Sequence, residues 1–109
     1  MNSLYQAITP KGRLDGISGA QLHQQIADFA KTDLKTILID FSQIDFLDST
    51  GLGVLITSLK LARSLGKRLC FCSLSEQVLM ILQLTKMSTV FEIFNDRSTF
   101  EQSLEKLKS

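Results

Sequence analysis

The run Thr36-Ile37-Leu38-Ile39-Asp40-Phe41 is nearly continuous in apolar residues and is bounded by polar ones. A strand with one face in water alternates apolar and polar side chains. A run that does not alternate belongs to a strand covered on both faces, as in a parallel sheet. Parallel neighbours cannot be joined by tight hairpins, so the chain must supply crossover helices.

The remaining segments alternate as that requires. Leu4 to Thr9 reads as a short strand, Pro10-Lys11-Gly12 as a turn, and Arg13-Leu14-Asp15 as a second short strand in a hairpin with the first. Ser18 with Gln21 fits a capping box for a helix from Gly19 to Lys31, which buries Leu22, Ile26, Phe29 and Ala30 at helical spacing. His23 falls off that stripe and reads as a surface residue. After the central run, a loop over Asp45 to Gly51 leads to the longest helix, Thr50 to Leu65, which Gly66 ends. Leu52, Leu55, Ile56, Leu59 and Ala62 share one face of it, and Val54, Leu61 and Leu65 lie nearly opposite. The narrow polar arc holds Gly53, Thr57, Lys60 and Ser64. Burial on two sides is the expectation, with one side offered to a partner as the alternative.

Arg68 to Ser73 is the next strand. Ser73 with Glu76, or Ser75 alone, starts a helix carrying Val78, Leu79, Ile81, Leu82 and Leu84. Val90 to Phe94 is a short strand, and Ser98 with Glu101 caps a terminal helix with the stripe Phe100, Leu104 and Leu107. Lys106 and Lys108 suit the C-terminal end of its dipole. The order predicts a single α/β domain over residues 1–109, with a mixed, mostly parallel sheet of about four to five strands and about four helices.

Composition removes several functions. A net charge of +1 gives no argument for nucleic acid or an anionic membrane. No apolar run nears the roughly 20 residues that span a bilayer. Met1-Asn2-Ser3-Leu4-Tyr5-Gln6 lacks the basic and apolar regions of a signal peptide, so cytoplasmic residence is expected. Cys70 and Cys72 would point to one face of a strand, with Cα atoms near the outer limit for a disulfide, and read as reduced core residues. His23 is the sole histidine, so neither a metal nor another cofactor is expected.

The chemistry concentrates in Ile44-Asp45-Phe46-Leu47-Asp48-Ser49-Thr50-Gly51-Leu52-Gly53-Val54-Leu55. Two hydroxyls, Ser49 and Thr50, sit where a strand gives way to a helix N-terminus, a place that suits an anion. Asp48 or Ser49 can cap the helix, and Gly51 and Gly53 keep side-chain bulk off the surface. No G-x-S-x-G elbow surrounds Ser49, no G-x-x-x-x-G-K-[ST] loop is present, and the Asp-Ser-Thr-Gly string has no second copy of the kind aspartic proteases use. Asp45 and Asp48, with Asp15 or Asp40, are candidates to gather near Ser49, but acidic loop surface is commonly just solvated. Hydroxyls with no base to activate them read as groups modified by another protein, not as nucleophiles of an enzyme.

This stretch resembles the signature of STAS domains of the bacterial anti-sigma factor antagonist type. Gly12-Arg13-Leu14-Asp15 and Ile37-Leu38-Ile39-Asp40-Phe41 support the resemblance, which covers roughly Leu4 to Leu104. It implies a mixed sheet with helices packed on it, and a hydroxyl at the helix start that a partner serine kinase phosphorylates. In the unphosphorylated form such proteins bind the kinase, itself an anti-sigma factor, and release the sigma factor; a PP2C-type phosphatase restores the binding form. Ser49 is then the expected phosphoacceptor and Thr50 the second choice. Asp48 orders the loop, with Asp15 nearby, and the partner surface takes in Asp15, Asp48, Ser49, Thr50, Gly51, Gly53, Thr57 and Lys60. Direct nucleic-acid or membrane binding is not expected, and a monomer or weak dimer is. Lys86-Met87-Ser88 departs from the Gly-Leu pair of many relatives. The alternative is an unphosphorylated STAS scaffold or a subunit of a transport or sensory complex; the intact Asp48-Ser49-Thr50-Gly51 argues for the switch.

Overall fold

Strand β3 (Thr36–Asp40) is buried at all five positions. It pairs in parallel with β1 (Tyr5–Ile8) on one side and β5 (Arg68–Cys72) on the other, and β5 pairs in parallel with β6 (Glu92–Phe94). The order β1-β3-β5-β6 forms a four-stranded sheet in a computed structural model that describes residues 5–108, with side chains as far as Glu105. The expected strand start at Leu4 and the side chains of Lys106, Leu107 and Lys108 lie outside the described residues.

The unbroken apolar run of β3 has the cause anticipated for it. Ile37 and Ile39 join Leu69 and Phe71 in a core completed by helices α1 (Gly16–Phe29), α2 (Ser49–Ser64) and α3 (Glu76–Leu84). Leu38, Cys70 and Cys72 face the other way, onto Phe100 and Leu104 of α4 (Arg97–Lys108). Phe71 holds the larger core together, with ring centroids 5.0 Å from Phe41 and 4.5 Å from Phe91. Both cysteines are free thiols, and burial pushes that of Cys70 up to about 12, so it packs as a small apolar group.

A second, two-stranded sheet corrects the expected hairpin. β2 (Gly12–Leu14) pairs in parallel with β4 (Ile44–Leu47), not with β1. Gly12, at φ +79°, turns the chain away from β1, and its N–H donates to Gln43 O at 2.9 Å. The segment read as a loop from Asp45 is therefore partly strand, with Ile44 and Leu47 buried and Asp45 exposed. The α/β class and the four helices stand.

Helix starts also differ from the sequence reading. Asp15, not Ser18, is the N-cap of α1: its Oδ1 accepts from the N–H groups of Ile17 and Ser18, both at 3.0 Å, and Ser18 Oγ accepts from the Asp15 N–H. Asp96, not Ser98, caps α4 by accepting from the Thr99 N–H at 2.8 Å. Ser75 alone caps α3; Ser73 is left-handed at φ 60° and so outside the extended geometry of a cap. A 3₁₀ turn over Met87–Thr89 takes up Val90, so β6 begins at Glu92. Leu84 is 75% exposed, because short α3 buries only the side that carries Val78 and Leu82. On α2, Val54 and Leu61 are half-buried but Leu65 is 47% exposed, so burial on two sides fails at the C-terminal end.

Ser58 of α2 is fully buried, and among the described residues its hydroxyl has no hydrogen-bond partner. Desolvating such a group without compensation costs about 1–3 kcal/mol. Ser58→Ala is expected to raise the unfolding free energy by about 1 kcal/mol on that ground in urea titrations; a loss of stability would show that the hydroxyl is satisfied in solution.

Candidate functional site at the paired helix starts

Leu14 and Leu47 are ladder partners, both fully buried, and each is the last residue of its strand. Two parallel strands that end level launch two helices side by side, each from an aspartate cap. Asp48 closes the junction twice. Its N–H donates to Leu14 O at 3.3 Å, and its Oδ1 accepts from the Gly51 N–H at 2.7 Å. Gly51 faces the end of β2 so closely that a Cβ there would overlap the Leu14 carbonyl oxygen and lie 2.7 Å from its carbon. A Cβ on Gly16 would meet Thr50 Cγ2 at 3.1 Å, and one on Gly19 would meet Val54 Cβ at 3.0 Å. Gly16 and Gly19 thus let α1 and α2 pack together at their N-terminal ends, and Gly51 lets α2 start against the end of β2. The sequence reading missed Gly16 and Gly19; their spacing along one helix face was the available signal.

Ser49 and Thr50 are the first residues of α2 and both are exposed. Among the described residues neither hydroxyl has a hydrogen-bond partner. Gly53, Thr57, Lys60 and Ser64 continue the exposed stripe from Ser49 at helical spacing. Thr57 Oγ1 donates to Gly53 O at 3.0 Å, which leaves the Ser49 hydroxyl and Lys60 as the freest polar groups of that stripe. Gly53 has open space where a Cβ would go, so its absence of a side chain bares the surface and is not a packing need. His23 is half-buried, not a plain surface residue. It lines a groove between the helices with Ala20, Thr50, Gly53, Val54 and Thr57. Ile17, on the first turn of α1, is 78% exposed beside this site and went unremarked in the sequence.

The carboxylates separate into two groups. Asp15 and Asp48 each cap one of the two helices at the junction, and Asp45 is exposed on β4. Asp40 is instead engaged by the Ser42 N–H at 2.9 Å and by Arg97 at 3.7 Å. The Ser18 backbone N–H holds the Asp15 carboxyl below the usual range, helped by the Ser18 hydroxyl, the Ile17 N–H and Arg13, and opposed by desolvation. A depressed pKa means stability present above the unfolded value and lost as pH falls through the folded one. Among the described residues no cluster of three or more His, Cys, Asp or Glu could hold a metal ion, and no helix is long and apolar enough to cross a membrane.

Comparison with known proteins adds a family. Residues 6–100 match the STAS domain family. The anti-sigma-B factor antagonist of Bacillus subtilis is 30% identical over 84 residues, covering 75% of this chain and 74% of the relative. Among solved structures, the anti-sigma factor antagonist SpoIIAA in its unphosphorylated form superposes with TM-score 0.70 at 17% identity, over 100% of this chain and 94% of that one. SpoIIAA from Bacillus is also similar in its phosphorylated form, with TM-score 0.68 at 17% identity over 92% of this chain and 91% of that one. The STAS domain of a SulP transporter from Vibrio cholerae superposes with TM-score 0.81 at 9% identity, over 99% and 87% of the two chains.

Two glycine substitutions separate the roles at the junction. Gly51→Ala is expected to destabilise the fold by about 1–3 kcal/mol or more, as overpacking against fixed backbone does. Gly53→Ala is expected to stabilise it by about 0.5–1 kcal/mol, the helix preference of alanine over glycine. Chemical denaturation of both variants checks the contrast; equal effects would mean that the Leu14–Gly51 contact is not what closes the site. In acid titrations, Asp15→Asn is expected to flatten the loss of stability as pH falls below the normal aspartate range.

Proposed function

The chain belongs to the STAS-domain family, and from that membership we propose that it is an anti-sigma factor antagonist switched by phosphorylation. On this reading it is one cytoplasmic STAS domain over residues 1–109, a monomer or weak dimer without enzymatic activity of its own. Unphosphorylated, it binds an anti-sigma factor with serine kinase activity; Ser49 accepts the phosphate, with Thr50 the second choice, and a PP2C-type phosphatase reverses the step. Asp15, Asp48, Gly51, Gly53, Thr57 and Lys60 frame the partner surface. The observation that carries the reading is a bare Ser49 hydroxyl, exposed on the first turn of a rigidly capped helix. The similarity to a transporter STAS domain supports the second reading, a scaffold or regulatory subunit that is not phosphorylated. Such a scaffold has no use for a hydroxyl pair at this point.

The energetics favour a switch that acts on binding. A phosphate brings about −1.5 to −2 charges. The helix N-terminus favours it by roughly 0.3–1 kcal/mol, while the Asp48 and Asp45 carboxylates oppose it. Burying the same charge unpaired in an interface costs about 2–5 kcal/mol, or roughly 30- to 5000-fold in affinity. The interface effect is the larger.

Pull-downs with the host's small serine kinases, with and without ATP, would identify the partner. Ser49→Asp is expected to lose that binding by titration calorimetry without a change in melting temperature, and Ser49→Ala to bind and resist switching. Equal affinity for wild type, Ser49→Asp and Thr50→Asp would leave the scaffold reading. Lys60→Glu is expected to slow association and alter its salt dependence with the fold intact; normal binding at low salt would remove this face from the interface.

A further inference from the structure

Among the described residues, strand β4 has a ladder partner on one edge only. Along a strand, the N–H and C=O of one residue point to the same side and successive residues alternate sides. Asp48 N–H points to β2, where it meets Leu14 O. The N–H and C=O of Leu47 therefore point away from β2. Leu47 is fully buried, so both groups need partners inside the protein. No strand among the described residues supplies them. The side chain of Gln77, on the first turn of α3, does: Leu47 N–H donates to Gln77 Oε1 at 3.2 Å, and Gln77 Nε2 donates to Leu47 O at 3.3 Å. Only Oε1 can accept from an N–H and only Nε2 can donate to a carbonyl, so the pairing fixes which way the amide faces. One side-chain amide completes the edge as a neighbouring strand would.

We propose that Gln77 is a positioning residue for the Ser49 hydroxyl. It holds Leu47 from one side while the Leu14 carbonyl holds Asp48 from the other, and Ser49 is the next residue. Gln77 acts through Leu47 and Asp48, not on the hydroxyl itself. Without it the junction keeps its strand pairing to β2 but loses its outer grip, and the hydroxyl spreads over more orientations. Phosphoryl transfer depends on holding the acceptor in line, so the turnover rate suffers. The exposed α2 stripe that would bind the kinase is untouched, so KM does not change. This inference rests on Ser49 being the phosphoacceptor.

Gln77→Met keeps the length of the side chain and removes both hydrogen bonds; Gln77→Glu can accept from Leu47 N–H but cannot donate to Leu47 O. The first readout is amide hydrogen exchange by NMR, which needs no kinase. In Gln77→Met the Leu47 and Gly51 amides are expected to exchange about tenfold faster relative to those of Ile37 and Ile39 in β3, the effect of losing one or two neutral hydrogen bonds. The second readout is transfer from ATP to Ser49 by the host's small serine kinase, with kcat lowered about tenfold on the same ground and KM unchanged. A kcat equal to that of the wild type, or Leu47 and Gly51 exchange that keeps step with β3, overturns the inference. No transfer to the wild-type chain would instead overturn the phosphoacceptor reading, and exchange then decides alone whether Gln77 holds the junction. Should Gln77→Met not fold, Gln77→Glu carries the same two comparisons.

Discussion

The Leu14 carbonyl is the contact on which the junction depends. It accepts from the Asp48 N–H and is the group against which Gly51 packs. One backbone oxygen thus fixes the end of β4 and the first turn of α2 together. The position of α1 follows from the same point, because Asp15, the residue after Leu14, is its cap. Two helices that start level and close, with small residues between them, leave Ser49 and Thr50 at an exposed end. The four-stranded sheet contributes the burial that makes this junction stiff, but no residue of the candidate site.

Burial and exposure divide the molecule cleanly. The core on one face of the sheet is large and mostly aliphatic around a few Phe rings, while the α4 side is small and closed by Phe100, with Tyr5 and Phe94 at its margin. Neither core reaches the polar stripe from Ser49 to Ser64. A charge added at Ser49 meets solvent, the helix dipole and the two nearby carboxylates, so its effect on the fold is a small difference between opposed interactions. A partner seated on that stripe would have to desolvate the same charge. On the proposed reading, a domain with a stiff fold and an exposed hydroxyl makes a binding switch because only the second state includes that cost.

The parts of this fold legible in the sequence were those with long, unmixed patterns. β3 announced itself because both of its faces are covered, and α2 because its apolar residues recur over four turns. β2 was legible as a short strand but not its partner, and β4 was not legible at all: three and four residues give too little pattern, and their pairing joins segments far apart in the chain. The helix caps were misplaced where several Ser or Asp residues stood within a turn of one another, since each can accept the same N–H groups and only the backbone geometry chooses. Ser49, Asp48 and Gly51 were legible as a motif. Gln77 was not, because its partner lies 30 residues away and its role exists only once α3 packs on β4. The packing role of Gly16 and Gly19 was not legible either, because it is set by Thr50 and Val54 on another helix.

The central claim is that modification at Ser49 changes what the surface can bind and leaves the framework alone. The most direct measurement is a pair of two-dimensional amide NMR spectra, of the chain before and after stoichiometric phosphorylation at Ser49. The account predicts shifts confined to residues 13–20 and 45–57, with the amides of β3 and β5 in place. Shifts spread through β3 and β5, or a collapse of spectral dispersion, would mean that the phosphate acts by rearranging the fold, and would contradict it.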